Sequence, residues 1–155
     1  MIKIHLTKKQ YEALVKMVYL GNWMINGIRY RGEEIQIFEE FEQYIYSYYR
    51  EAHLEKYIEY AKEYDKYFPT KEFEMNSDVE KYRQEYENEN FWDELLHKLA
   101  RRDFMRKYGE SNIIKMSIEE RIEKEHPFIE KYDDELVKNG VDRLEISDND
   151  ERGIE

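Results

Sequence analysis

Cysteine is absent from the 155-residue chain, proline occurs twice and glycine six times. Without cysteine there are no disulfides, no thiolate metal ligands and no cysteine nucleophile, so a packed core must hold the fold. The length suffices for that, because a chain of this size buries about two thirds of the surface its unfolded form exposes. Scarce turn residues disfavour sandwiches and barrels. Aromatic residues at 15% disfavour disorder. Long apolar runs are missing too: the longest stretch, Leu14 to Ile28, is interrupted by Lys16, Asn22 and Asn26 and is too short to span a bilayer. Met1 to Thr7 lack the apolar core and cleavage site of a secretory signal, and a cytoplasmic location is expected.

Positive charge is the other shortage. Against 25 Lys and Arg stand 36 Asp and Glu, a formal net charge of −11. Nonspecific nucleic-acid binding depends on cations that displace counterions from phosphates, so this field opposes it, and no nucleic acid is expected among the partners. The first 50 residues are nearly balanced, with seven basic and six acidic side chains; the acidic excess follows. Arg101, Arg102, Arg106 and Lys107 form the one basic cluster, expected as the cationic last turn of a helix.

What is present is helical periodicity. Thr7 is placed to cap a helix over about Lys8–Arg29, with Leu14, Met17, Val18, Gly21, Met24, Ile25 and Ile28 on one arc. Gly21, in the middle of that arc, predicts a close approach by another helix. A second helix from about Glu34 carries Phe38, Phe41, Ile45, Tyr48 and Ala52 as a heptad-like seam, with Glu39, Glu40, Glu42 and Gln43 turned outward. The seam slips near His53. Residues 54–64 suit a short third helix and 60–73 a more irregular segment, with a helix restarting after Asn76-Ser77-Asp78. Asn90 is a candidate cap for a helix over Phe91–Tyr108, closed by Gly109. Ser117 and Glu120 form a capping box, and Pro127 is expected to split the helix that follows, with Gly140 ending it. Residues 2–6 and 141–146 alternate like strands and are expected to pair with each other. The predicted fold is therefore mainly α: a single-domain bundle of about five helices over residues 1–146, a small two-stranded β ribbon joining the N- and C-terminal segments, and a flexible acidic tail over 147–155.

Few constellations carry chemistry. Glu94/His97 and Glu123/His126 repeat the Glu-x-x-His spacing with which ferritin-like bundles hold metal ions, so these four are the candidate metal ligands of an alternative reading as a metal-dependent enzyme. Arg121 and His126 have the Arg-x4-His spacing and, over six residues, resemble the signature of HEPN-type helical ribonucleases. That resemblance implies action on a 2′-hydroxyl and its phosphate, usually at a dimer interface; here Ile122 stands where a polar residue is typical. No phosphate-cradling glycine loop occurs. A further alternative reads the acidic second half as a nucleic-acid mimic.

The aromatic surplus points elsewhere. Tyr19, Trp23 and Tyr30 lie on the polar arc of the first helix with Asn22, Asn26 and Arg29, and tyrosine and tryptophan concentrate at protein interfaces. These six residues are the expected interaction surface. The leading expectation is a non-catalytic protein that works through contacts with a protein partner or a second copy, with no cofactor and no membrane association.

Overall fold

The computed structural model describes residues 3–145; the expected tail and the outer ends of both expected terminal strands, Ile2 and Ile146, lie outside them. The protein is mainly α-helical, with six helices and one two-stranded antiparallel sheet among the described residues. The chain divides into two compact units, one ending at Tyr86 and one beginning at Glu87.

The first unit opens with α1 (Lys8–Asn26), whose N-terminus is closed by a reciprocal box: Thr7 accepts from the Gln10 N–H, and the Gln10 side chain accepts from the Thr7 N–H. α1 stops at Asn26, short of the expected Arg29. α2 (Gln36–Tyr46) ends before the seam reaches Tyr48 and Ala52, and turns lead to His53, which takes a left-handed φ of 53°. The sheet follows where a helix and an irregular segment were expected. β1 (Ile58–Ala61) and β2 (Lys66–Pro69) form a hairpin, with Tyr60 opposite Tyr67 and Asp65 at φ 52° in its turn. Ile, Tyr and Phe favour a pleated surface, and Pro69 stands at the strand's last residue, where it interrupts no ladder. α3 (Lys71–Asn76) is capped by Thr70, and α4 (Asp78–Tyr108) starts after Ser77.

Among the described residues the expected terminal ribbon does not form. Residues 3–6 and 141–145 form no strand, and Ile4 and Leu6 are exposed. Alternation alone does not make a strand when no neighbouring edge supplies hydrogen bonds, and the hairpin carries its own partner.

The core of this unit joins Val15, Ile45, Tyr46, Tyr49, Leu54, Ile58, Phe73 and Val79. Phe73 is its aromatic centre: Tyr19 meets it edge-on at 5.1 Å between ring centroids, and Tyr57 at 5.5 Å.

The second unit holds the later part of α4, α5 (Glu110–Ile113) and α6 (Ile118–Asn139). α4 runs unbroken through Asn90, which is an interior helical residue and not a cap. Ser117 caps α6 by accepting the Glu120 N–H at 3.1 Å. Pro127 does not split α6. It sits exposed, so the one backbone bond it removes leaves a carbonyl within reach of water, and the helix continues to Asn139. Gly109 and Gly140 take positive φ values of 72° and 57° at the ends of α4 and α6. Ala100, Phe104, Ile113, Tyr132 and Leu136 are the buried side chains here.

Candidate functional site

α1 and α2 bury part of the expected arcs, with Leu14, Val18 and Ile45 in or against the core, but both are turned so that other members face outward. Met17, Met24 and Ile28 are 69%, 53% and 86% exposed, and Ile37, Phe41 and Tyr44 on α2 are also exposed. A Cβ added to Gly21 would meet nothing within 4 Å, so no helix approaches it. Val15, Tyr19, Asn22 and Asn26 turn inward instead, as do Glu42 and Gln43.

Two carboxamides hold inward positions by hydrogen bonds to backbone groups. The Asn26 side chain accepts the Ile35 N–H at 2.9 Å and donates to the Ile35 carbonyl at 3.4 Å, while also donating to Asn22 Oδ1 at 2.8 Å. Ile35 is the N-cap of α2 and has no side-chain cap of its own, so Asn26 fixes the start of α2 from the end of α1. Gln43 repeats the device on β2, accepting the Tyr67 N–H at 2.8 Å and donating to its carbonyl at 2.9 Å. A carboxamide presents one donor and one acceptor like a peptide group, so each satisfies both backbone groups of one residue. Partly buried backbone partners of this kind offset the cost of turning an amide inward.

Glu42 lies in the same polar seam. Its carboxylate accepts the Tyr46 hydroxyl at 3.1 Å. Burial pushes its pKa up to about 7, opposed by hydrogen bonds from Tyr46 and Asn22; Glu39 adds repulsion and Lys66 some attraction. Burial, with Glu42 beside it, raises the Tyr46 phenol as well. Tyr11 donates to the Ile45 carbonyl, and burial pushes it up to about 12.

The six expected interface residues therefore separate. Asn22 and Asn26 are occupied between α1 and α2, and Tyr19 packs on Phe73. Tyr19 and Trp23 come together as one wall of an open cleft of about 430 Å³, completed by Glu74, Met75, Glu80 and Arg83. Arg83 lies over the Trp23 ring at 5.4 Å and grips Glu80 through two hydrogen bonds of 3.0 and 2.7 Å. Arg29 and Tyr30 lie in the turn after α1, with Tyr30 exposed. The Glu80/Arg83 pair is legible as a helical i,i+3 contact, but its meeting with Trp23 depends on the tertiary fold.

The candidate metal ligands do not assemble. Among the described residues no group of three or more His, Asp or Glu side chains is arranged to hold a metal ion. Glu94 is engaged by Lys98, and His97 faces Asp93 at 3.5 Å, one turn earlier. His126 faces Glu130 at 3.5 Å, one turn later than the expected Glu123. Arg121 is likewise occupied, donating to the Ile113 carbonyl at 3.3 Å. His126 is exposed, and five residues place the two on different sides of α6.

The basic cluster is organised by an acid. Asp103 accepts from Arg102 at 3.0 Å and from Lys131 at 3.3 Å, accepts the Tyr132 hydroxyl, and lies 3.7 Å from Arg106. Partial burial alone would raise its pKa, but the hydrogen bonds from Tyr132, Arg102 and Lys131 bring it down to about 2. The cluster thus serves to join α4 to α6. No helix among the described residues is long and apolar enough to cross a membrane. Comparison of the chain with protein-family models, curated proteins and solved structures returns no match.

Proposed function

We propose that the protein is a non-catalytic helical module that acts through protein contacts, made by the exposed apolar arcs of α1 and α2. One observation carries this: two neighbouring helices each turn a carboxamide, Asn26 and Gln43, inward onto backbone groups and leave Met17, Met24, Ile28, Ile37, Phe41 and Tyr44 to solvent. Scattered exposed apolar residues are ordinary, but runs of them on helix faces mark association surfaces. Of the aromatic residues expected to make contacts, Tyr30 is exposed in the turn after α1 and Trp23 is half-buried in the cleft. The proposal keeps the cytoplasmic setting and, given the net charge of −11, no nucleic acid among the partners.

The test is fluorescence-detected sedimentation of labelled protein in a cell extract. The expected result is a species heavier than the monomer that reverts to monomer in Met17→Glu and Phe41→Glu. Both positions are exposed, so neither change threatens the fold. A monomer in the extract for every variant would contradict the proposal.

A further inference from the structure

We propose that the cleft of the first unit is a receptor for an arginine side chain carried by a partner peptide, held by the aromatic pair Tyr19 and Trp23 and by the carboxylate of Glu74. The site adds a second contact to the proposed module and does not depend on the first. At 100° per residue Tyr19 and Trp23 project from a different side of α1 than Met17 and Met24.

The cleft is assembled from three helices of one unit. Tyr19 and Trp23 stand one turn apart on α1 and form one wall. Glu74 and Met75 come from the end of α3, and Glu80 and Arg83 from the first turns of α4. The volume of about 430 Å³ falls within the ~300–1,000 Å³ of ligand sites. Because the cleft is open, a side chain can enter it while the peptide that carries it stays outside. Met75 only borders it and is 75% exposed.

The fold already displays what this wall accepts. Arg83 sets its guanidinium over the Trp23 ring at 5.4 Å while Glu80 holds it through two hydrogen bonds of 3.0 and 2.7 Å. An indole beside a carboxylate suits a guanidinium, because the ring quadrupole attracts the cation and the two oxygens match its paired N–H groups. The cleft has a second ring and a second carboxylate for which it supplies no cation. Among the described residues no Lys, Arg or His forms an ion pair with Glu74. Its charge is felt at Tyr19, whose phenol is raised first by burial and next by Glu74.

Charge then selects the class of occupant. Two acids and one base line the cleft, and the base is engaged by Glu80, so Glu74 is the carboxylate left to attract a ligand. The net charge of −11 adds a field of the same sign, which draws a basic segment in and repels a carboxylate or phosphate. Arginine suits the site better than lysine, since only a planar guanidinium both stacks on a ring and bonds a carboxylate through two parallel N–H groups. One side chain in an open cleft corresponds to about millimolar affinity.

The test is NMR of the intact protein, read at the Trp23 indole N–H. The probe is a blocked Gly-Arg-Gly peptide, and its control carries citrulline, which keeps the planar shape and lacks the charge. The arginine peptide is expected to shift the Trp23 signal saturably with a Kd of about 1 mM, while the Trp92 signal of the second unit stays in place. The citrulline peptide is expected to bind about tenfold more weakly. Glu74→Gln, at an exposed position that leaves the fold intact, is expected to weaken the arginine peptide about fivefold. A Trp23 signal unmoved at about 10 mM peptide overturns the site. Equal binding of the two peptides does so too, as does a Glu74→Gln variant that binds like the wild type. Met17→Glu, which disables the apolar arc, is expected to bind the peptide as the wild type does, so the arc and the cleft fail separately. Loss of peptide binding in that variant would place the peptide on the arc and overturn the cleft.

Discussion

Glu42 is the buried group whose ionisation state the fold alters most visibly at ordinary pH. Its carboxyl is raised from the ordinary 4.5 to about 7, with burial as the largest cause. That rise corresponds to about 3 kcal/mol, reduced to ~2 kcal/mol by the solvent that still reaches the site. Between pH 4.5 and 7 the folded protein keeps this proton and the unfolded chain has lost it, so stability falls as pH rises through that window. Below it both states are protonated and the penalty vanishes; above it the penalty is complete. Replacing Glu42 with Gln keeps an oxygen to accept the Tyr46 hydroxyl and removes the charge. Urea unfolding of the wild type and Glu42→Gln at half-unit steps from pH 4.5 to 8.5 gives the difference directly, and effects of other titrating groups cancel in the comparison. The variant is expected to match the wild type at the acid end and to be more stable by about 2 kcal/mol above pH 7. A difference that does not vary with pH would refute the reasoning. So would a wild type that gains on the variant as pH rises, the sign of a carboxylate stabilised by Lys66 and not penalised by burial.

Three further expectations follow from named contacts. Asn26→Ala strips the Ile35 N–H of its acceptor at the start of α2 and is expected to cost about 2 kcal/mol in urea unfolding, with amide exchange at Ile35 and Phe38 accelerating first. Asp103, lowered to about 2, contributes stability that is present above the unfolded value of 3.8 and lost as pH falls toward 2. Its side chain is only partly shielded, so Asp103→Asn is expected to remove ~1 kcal/mol at neutral pH and to flatten the acid limb of the second unit's stability profile. Gly140→Ala forces a side chain into φ 57°, ψ −132° at the end of α6 and is expected to lower the melting temperature by several degrees, corresponding to about 1–2 kcal/mol.

Much of the helical layout is readable from local chemistry. Thr7, Ser117, Gly109 and Gly140 mark helix ends because capping and left-handed conformations are properties of single residues and their near neighbours. Orientation is not readable in the same way. Periodicity finds α1 and α2 and brings Leu14, Val18 and Ile45 to the core, but hydropathy misses the inward turn of Asn26 and Gln43, whose partners are backbone groups at Ile35 and Tyr67 that no spacing rule identifies. The hairpin was obscured by charged residues between its tyrosines, while the alternation at residues 2–6 suggested a strand that has no partner. The site follows the same pattern. Trp23 stands out as a tryptophan on a polar arc, but Arg83, Met75 and Glu74 reach it only through α3 and α4. The Glu-x-x-His pairs satisfy a spacing rule, but their histidines find other carboxylates one turn away.

Methyl NMR of the methionines tests the central claim most directly, because Met17 and Met24 lie exposed on the α1 arc and Met75, also exposed, lies at the cleft. A soluble paramagnetic agent reports which methyl groups water reaches. In dilute purified protein all three are expected to relax strongly; in cell extract, Met17 and Met24 are expected to become shielded while Met75 stays open. Equal exposure of the three under every condition would contradict association through this arc. Shielding of Met17 and Met24 already in the dilute monomer would contradict the outward placement of these two side chains on α1 itself.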